Sequence, residues 1–285
     1  MKSSESKKTK AKAKAKIQPK QKKNVKDEKS VKPSMSAKDK FLATLKKEKI
    51  NKDIIAAFES VDQKIFFDTI FKSKFYGDEC ISIGYGMKSD NFLNLARMIN
   101  YLNPRKDERI FEIGTGSGYS SAIISLLCRE VVTVEIHEKL AVLAKNRLYD
   151  NNYGNIRFFA GDGTTFDESF GKIDSIIIHA ACRKRPVNVM RNLKDNVIVI
   201  LAMGPAHIQQ IVTMKNRPDI SSLENFGMEY HESGVFSLVE GPYGYDFPVL
   251  PLEDFTREKD EIDDFEPPKK SEPDVFLFKP TEGDD

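Results

Sequence analysis

The stretch RIFEIGTGSGY, residues 109–119, decides the fold. A short apolar run ends in three alternating glycines, Gly114, Gly116 and Gly118, and residues 120–127 then continue at helical spacing. Glycines between a strand and a helix let the backbone turn tightly and approach a ligand more closely than a Cβ would permit. Working outward, the β-branched run 131–136 predicts a second strand and 138–151 an amphipathic helix. Residues 156–160, 173–179 and 197–202 predict three further strands, the last two separated by a helix beginning near Pro186. Strands alternating with helices imply βαβ units and a mainly parallel, doubly wound α/β sheet. Residues 204–216 and 234–240 (GVFSLVE) read as closing strands, which makes seven, and the stretch between them has no readable pattern. Sheets of this kind bind ligands outside the carboxyl ends of their strands.

Upstream, residues 37–60 read as two helices that cap the domain. Phe41, Leu42 and Leu45 share one face, and Ile54, Ile55 and Phe58 follow a start signal at 51–53. The aromatic segment 66–78 predicts a loop or short helix able to pack over a cleft, ISIGYG at 81–86 a glycine-bearing turn, and 92–102 a helix. This gives a single domain over 37–250, flanked by two tails. Residues 1–40 hold fifteen lysines against four acids, a net +11, and 251–285 hold thirteen acids against five bases, a net −8. Segments so poor in core-forming residues cannot offset the entropy of ordering, so 1–36 and 251–285 are expected to be disordered. The basic arm is a solvated tail or a nonspecific contact for nucleic acid or another polyanion.

No run approaches the roughly 18 apolar residues of a membrane span, and the lysine-rich start lacks the apolar block of an export signal. A soluble, cytoplasmic monomer without membrane contact is the expectation. Cys80, Cys128 and Cys182 are odd in number and widely spaced, so they read as reduced core thiols, with neither disulfide pairing nor metal-ligand spacing.

The spacing GxGxG differs from the dinucleotide fingerprint, which would have a glycine where Tyr119 stands, and it lacks the Lys-Ser/Thr ending of a phosphate-cradling loop. Glu135 ends the next strand, 21 residues after Gly114, where an acid can accept hydrogen bonds from both hydroxyls of a ribose. Gly161-Asp162-Gly163 follows the third strand, where a carboxylate can accept from an exocyclic amine of adenine. Each signal alone is weak. In register they describe an adenosine site.

Five runs then carry a family resemblance: SIGYG (82–86), FEIGTGSGYSSA (111–122), VTVEIHEKLA (132–141), YGNIRFFAGDG (153–163) and IDSIIIHAA (173–181). Together they resemble the consecutive motifs of the protein-L-isoaspartate O-methyltransferases, a branch of the S-adenosylmethionine-dependent methyltransferases, over about residues 47–204. The resemblance implies a Rossmann-like methyltransferase fold and S-adenosyl-L-methionine as cofactor. It implies that Gly114, Thr115, Gly116, Ser117 and Gly118 border the methionine part, that Glu135 binds the ribose, that Ile136 also touches the cofactor, and that Asp162 with Gly161 lies at the adenine. The implied activity is methylation of isoaspartyl carboxylates in protein or peptide, so that a succinimide can form and reopen.

One segment departs from the pattern. Where the family has QTIS, with threonine and serine at the methyl-transfer site, this chain reads Met87-Lys88-Ser89-Asp90, so Lys88 and Asp90 take the hydroxyl positions. A carboxylate is already a nucleophile at neutral pH and needs no general base, so the hydroxyls are not chemically indispensable. Asp90 would repel an acidic acceptor, and Lys88 could offset it. His179 lies near the expected substrate cleft, either as a titrating group or as a packing histidine, and His137 is weighed likewise. Arg183, Lys184 and Arg185 are either an anion-receiving cluster or a solvated loop. Two alternatives stay open: the same fold acting on RNA or another acceptor, and a cofactor-binding module without catalysis.

Overall fold

The structure is a computed structural model that describes residues 35–165, 170–191, 197–215, 227–245 and 276–277. The lysine-rich arm as far as residue 34, and the acidic tail apart from 276–277, lie outside the described residues, and so do the expectations placed on them.

Two helices lead into the domain. In α1 (Ala37–Lys47), Ser36 accepts from the Asp39 amide at 3.1 Å while Asp39 reaches back to the Ser36 amide and hydroxyl, a reciprocal cap that satisfies orphan donors at the first turn. In α2 (Lys52–Ser60), Asn51 caps the start and Ile54, Ile55, Ala57 and Phe58 are buried. A short helix α3 (Gln63–Phe66) and a 3₁₀ segment (Thr69–Lys74) follow, then a small hairpin of β1 (Ser82–Gly84) and β2 (Met87–Lys88). Next comes α4 (Phe92–Leu102), capped by Asn91 and ended by Asn103 in a left-handed conformation just before Pro104.

The sheet runs through β3 (Arg109–Ile113), β4 (Glu130–Glu135), β5 (Ile156–Ala160), β6 (Ser175–Cys182), β7 (Ile198–Met203), β8 (Gln209–Lys215) and β9 (Gly227–Gly234). The helices between its strands are α5 (Tyr119–Ser125), α6 (Glu138–Asp150) and α7 (Val187–Arg191). In space the order is β5-β4-β3-β6-β7-β8-β9; neighbours from β5 to β7 are parallel, and β8 and β9 are antiparallel additions. This is the seven-stranded, mainly parallel sheet expected from the sequence. An eighth strand, β10 (Phe276–Leu277), pairs in parallel with β5 and lies inside the stretch expected to be a disordered tail.

The central strands are buried on both faces. Ile110, Val131, Ile177 and Ile200 pack into one core with α1, α2, α4 and α5. Phe111, Val132, Ile176, Ile178 and Val199, alternating with them, pack into a second core on the other face. The first glycine turn follows β3, whose two neighbours β4 and β6 connect to opposite sides of the sheet. That reversal of strand order opens the crevice.

Two expectations need correction. The final long strand is Gly227–Gly234, within the stretch that showed no pattern, because β9 is a largely exposed edge with no apolar alternation to read. Residues 234–240 instead run beside the end of β6: the Ala181 amide donates to the Ser237 carbonyl at 2.7 Å and the Val239 amide to the Ala181 carbonyl at 2.9 Å. Second, β6 runs from Ser175 to Cys182 where 173–179 was expected, so His179 lies inside the strand and not at its end. There the pairing with β7 is irregular, since Ile177 faces Ile200 while Ala181 faces Ala202. A bulge of this kind re-aims side chains, and it falls at His179.

Candidate active site

The turn after β3 is built from glycine conformations. Gly114, Gly116 and Gly118 have φ of +95°, +55° and +89°, in the region that side chains disfavour. The first two line a cavity of about 970 Å³, counting its part open to solvent, at the carboxyl ends of the parallel strands. A Cβ on Gly114 would meet the His179 side chain at 3.5 Å, and one on Gly116 would press on Ile83 at 3.2 Å. Gly118 does not line the cavity. It is the N-cap of α5, where a Cβ would come within 3.0 Å of Leu148, so its work is helix packing.

Tyr119 ties this turn to the helical cap. Its ring is buried against Phe58, Phe66, Phe67 and Phe92 at centroid distances between 5.4 and 6.2 Å, and burial pushes its phenol upward in pKa. The N-terminal helices therefore buttress the glycine turn. The predicted loop 66–78 contributes Phe67 to the cavity wall.

Thr115, Ser117, Glu135, Ile136, Gly161 and Asp162 all face the same cavity. Thr115 is fixed by a 2.6 Å hydroxyl contact with Thr133 on β4. Glu135 is buried, and each oxygen takes one backbone amide, Gly116 at 2.8 Å and His137 at 3.0 Å. Each carboxylate oxygen has two lone pairs, so both retain capacity for ribose hydroxyls. Ile136 is 42% exposed and offers an apolar face. Asp162 receives the amide and hydroxyl of Thr164 on Oδ1, at 2.8 and 2.7 Å, and its Oδ2 has no protein partner among the described residues. A glycine cradle, a buried carboxylate with lone pairs to spare and an unused carboxylate oxygen fit S-adenosylmethionine.

Two contacts bridge the mouth. Lys139 lies 5.6 Å from the ring centre of Tyr85 at the hairpin tip, and Glu240 lies 3.3 Å from His137 Nε2. Ser237, Leu238, Val239 and Glu240 line the cavity from the second of these flaps.

The remaining wall holds a chain of charged groups that the sequence did not reveal as a unit. Glu112, on β3, is fully buried yet accepts from the hydroxyls of Ser120 at 2.7 Å, of Thr133 at 2.7 Å, and of Ser121. His179 Nε2 lies 2.9 Å from the same carboxylate, and His179 Nδ1 lies 2.8 Å from Asp90 Oδ2. Burial alone would raise the Glu112 pKa, but the His179 contact and the serine hydroxyls hold it below the usual range. Burial likewise opposes a charged His179, yet hydrogen bonds and charges from Asp90 and Glu112 prevail and push it well up. Glu112 had one visible signal, an acid inside an otherwise apolar strand. Lys88, exposed, and Asp90 both line the cavity, while Ser89 is used locally, taking the Ile81 amide at 2.9 Å and donating to the Asp90 carbonyl. Arg183, Lys184 and Arg185 do not line it.

Residues 35–230 match the family described as Protein-L-isoaspartate(D-aspartate) O-methyltransferase. The chain belongs to this family. It is similar to the protein-L-isoaspartate O-methyltransferase of Dictyoglomus thermophilum, 34% identical over 208 residues that cover 72% of this chain and 92% of the relative. A second relative, protein-L-isoaspartate O-methyltransferase 2 of Rhodopseudomonas palustris, is 32% identical over 59% of this chain and 78% of its own length. Among solved structures, a protein-L-isoaspartate O-methyltransferase superposes with a TM-score of 0.64 at 22% identity, covering 73% of this chain and 67% of the other. A Plasmodium falciparum protein, described as a putative protein-L-isoaspartate O-methyltransferase in complex with S-adenosyl-L-homocysteine, gives 0.57 at 18% identity, over 72% of this chain and 98% of its own. The fold is the Rossmann-like methyltransferase fold, and the chain is an S-adenosylmethionine-dependent methyltransferase. Among the described residues, no helix is long and apolar enough to cross a membrane.

Proposed function

We propose that this methyltransferase modifies the free carboxylate of isoaspartyl residues in proteins and peptides, as a step in their repair. The observation that carries the reading is that one cavity is lined both by the adenosine-type acceptors Glu135 and Asp162 and by the polar group Lys88, Asp90 and His179. Bound there, S-adenosylmethionine supplies a sulfonium methyl group that a carboxylate oxygen can accept without any proton being moved.

The protein's own contributions are positioning and charge. Glu135 and Asp162 hold the nucleoside, Ile136 supports the base, and Gly114 to Ser117 let the backbone approach the amino-acid part. Lys88 attracts the acceptor carboxylate at the cavity wall, the role left open by the missing threonine. The flaps carrying Tyr85 and Glu240 limit water access, which strengthens these electrostatic contacts. A reducing, cytoplasmic setting suits the three free cysteines, two of them buried with pKa values pushed by burial up to about 12.

The test is transfer of labelled methyl groups from S-adenosylmethionine to an isoaspartyl peptide, its ordinary aspartyl counterpart and bulk RNA. Labelling of the isoaspartyl peptide alone is expected. Labelling of RNA in its place would overturn the acceptor assignment and leave the cofactor reading standing.

A further inference from the structure

We propose that Asp90 recognises the backbone N–H that shares a carbon with the isoaspartyl carboxylate, and that His179 is the positioning residue that holds Asp90 in place. The inference rests on the carboxyl-acceptor reading and adds to it the group that distinguishes the acceptor.

Glu112 takes three hydroxyl donors as well as His179 Nε2, so it is an ionised acceptor and the ring nitrogen facing it carries hydrogen. Nδ1, the other ring nitrogen, faces Asp90 Oδ2 at 2.8 Å, so one proton is shared along that contact. The ring is thus locked at both ends, and through it the Asp90 side chain is fixed to the rigid strand pair β3–β6 even though Asp90 itself follows the small hairpin.

What this leaves over is Asp90 Oδ1. The side chain is only 10% exposed and lines the cavity, but Oδ1 has no protein partner among the described residues. A carboxylate oxygen that opens into the cavity without a protein donor keeps its lone pairs for a donor on the ligand. An acceptor carboxylate placed there would be repelled. An N–H would not, and Lys88, two residues away on the same wall, supplies the positive charge that a carboxylate needs. Isoaspartyl chemistry offers this pairing: its free carboxylate and its backbone N–H are attached to one carbon. In an ordinary aspartyl residue the free carboxylate is one methylene farther from that N–H. A lysine and a fixed aspartate lining one cavity therefore read the two groups together.

The experiment compares two isoaspartyl peptides, one bearing the N–H and one methylated on that nitrogen, with wild-type protein, Asp90→Ala and His179→Gln. For wild type, methylating the nitrogen should raise KM about tenfold to a hundredfold, the value of a hydrogen bond to a charged group, with kcat much less affected. Asp90→Ala should raise KM for the N–H peptide by a similar factor and abolish the difference between the peptides. His179→Gln should shrink that difference while S-adenosylmethionine affinity, read by calorimetry, stays as in wild type. Equal KM for both peptides with wild type overturns the recognition role, and that arm decides it even if Asp90→Ala does not fold. A folded His179→Gln protein that keeps the full difference overturns the positioning role. Turnover of neither peptide removes the acceptor reading together with this inference, whereas turnover of both without discrimination removes the inference alone.

Discussion

His179 Nδ1 lies 2.8 Å from Asp90 Oδ2, a contact between residues 89 apart in sequence that joins the hairpin segment to the centre of the sheet. It exists because β6 bulges between Ile177 and Ala181, which turns His179 toward the cavity, and because Glu112 on the adjacent strand takes the other ring nitrogen. The cluster joins the cavity wall to the core beside the glycine turn, so changes in it should be felt in stability as well as in activity.

The pH dependence of stability follows from two opposite shifts. For His179, burial opposes the charge, but Asp90 and Glu112 raise its pKa from 6.5 to about 10. A raised value means that the folded state binds the proton more tightly, so this contribution is complete below about pH 6.5 and fades as pH rises through about 10. Glu112 is shifted down from 4.5, so its contribution is present above about that pH and is lost as pH falls through its lower folded value. Urea unfolding should therefore show stability decreasing on the alkaline side between about pH 6.5 and 10, with His179→Gln lacking most of that decline. Parallel profiles for the two proteins would contradict the assignment.

Glu135 should control cofactor affinity. Glu135→Gln keeps the shape but replaces an acceptor with a donor opposite backbone amides and ribose hydroxyls. Calorimetry should show S-adenosylmethionine binding weakened by about 1 to 3 kcal/mol, the range for groups that pair with a charge. Unchanged affinity would remove Glu135 from the site.

Gly118 should behave differently from its two neighbours. Its φ of +89° and the 3.0 Å approach of a Cβ to Leu148 make Gly118→Ala a packing and backbone lesion. A loss of about 1 to 3 kcal/mol in unfolding free energy is expected, with near-normal cofactor affinity in the folded fraction. Weak binding with intact stability would place Gly118 back in the cofactor site.

The sequence made the sheet legible because its parallel strands are short, β-prone segments set between turn signals. Residues 109–113, buried from Ile110 onward, and 156–160 each lie between such signals, and the observed strands have the same limits. It hid β9, where an edge strand with exposed side chains such as Tyr230 has no apolar period to display. The glycine turn, Glu135 and Asp162 were readable since each follows a strand at a fixed place. The Asp90–His179–Glu112 cluster was not, because it depends on a bulge and on contacts between elements far apart in sequence. Asp90 read as a liability for an acidic acceptor, while in the fold one of its oxygens is occupied by His179.

That pairing changes what restoring the family's hydroxyl should do. Asp90→Ser alone leaves His179 Nδ1 without its carboxylate in a nearly buried position, and His179→Thr alone leaves Asp90 and Glu112 as two acids lacking the cation between them. Removing one member of a buried charged pair typically costs about 3 to 5 kcal/mol, whereas replacing the pair together is often close to neutral. The two substitutions should therefore be strongly non-additive: each single variant markedly destabilised in urea unfolding, and the double variant more stable than the sum of the two losses predicts by at least about 1 kcal/mol. Methyl transfer by the double variant should persist, since a carboxylate acceptor needs no general base and the introduced serine hydroxyl supplies a donor. With the recognition carboxylate gone, however, it should no longer distinguish the N–H peptide from its N-methylated form. Additive losses in the cycle would show that Asp90 and His179 are independent neighbours and that the 2.8 Å contact contributes little.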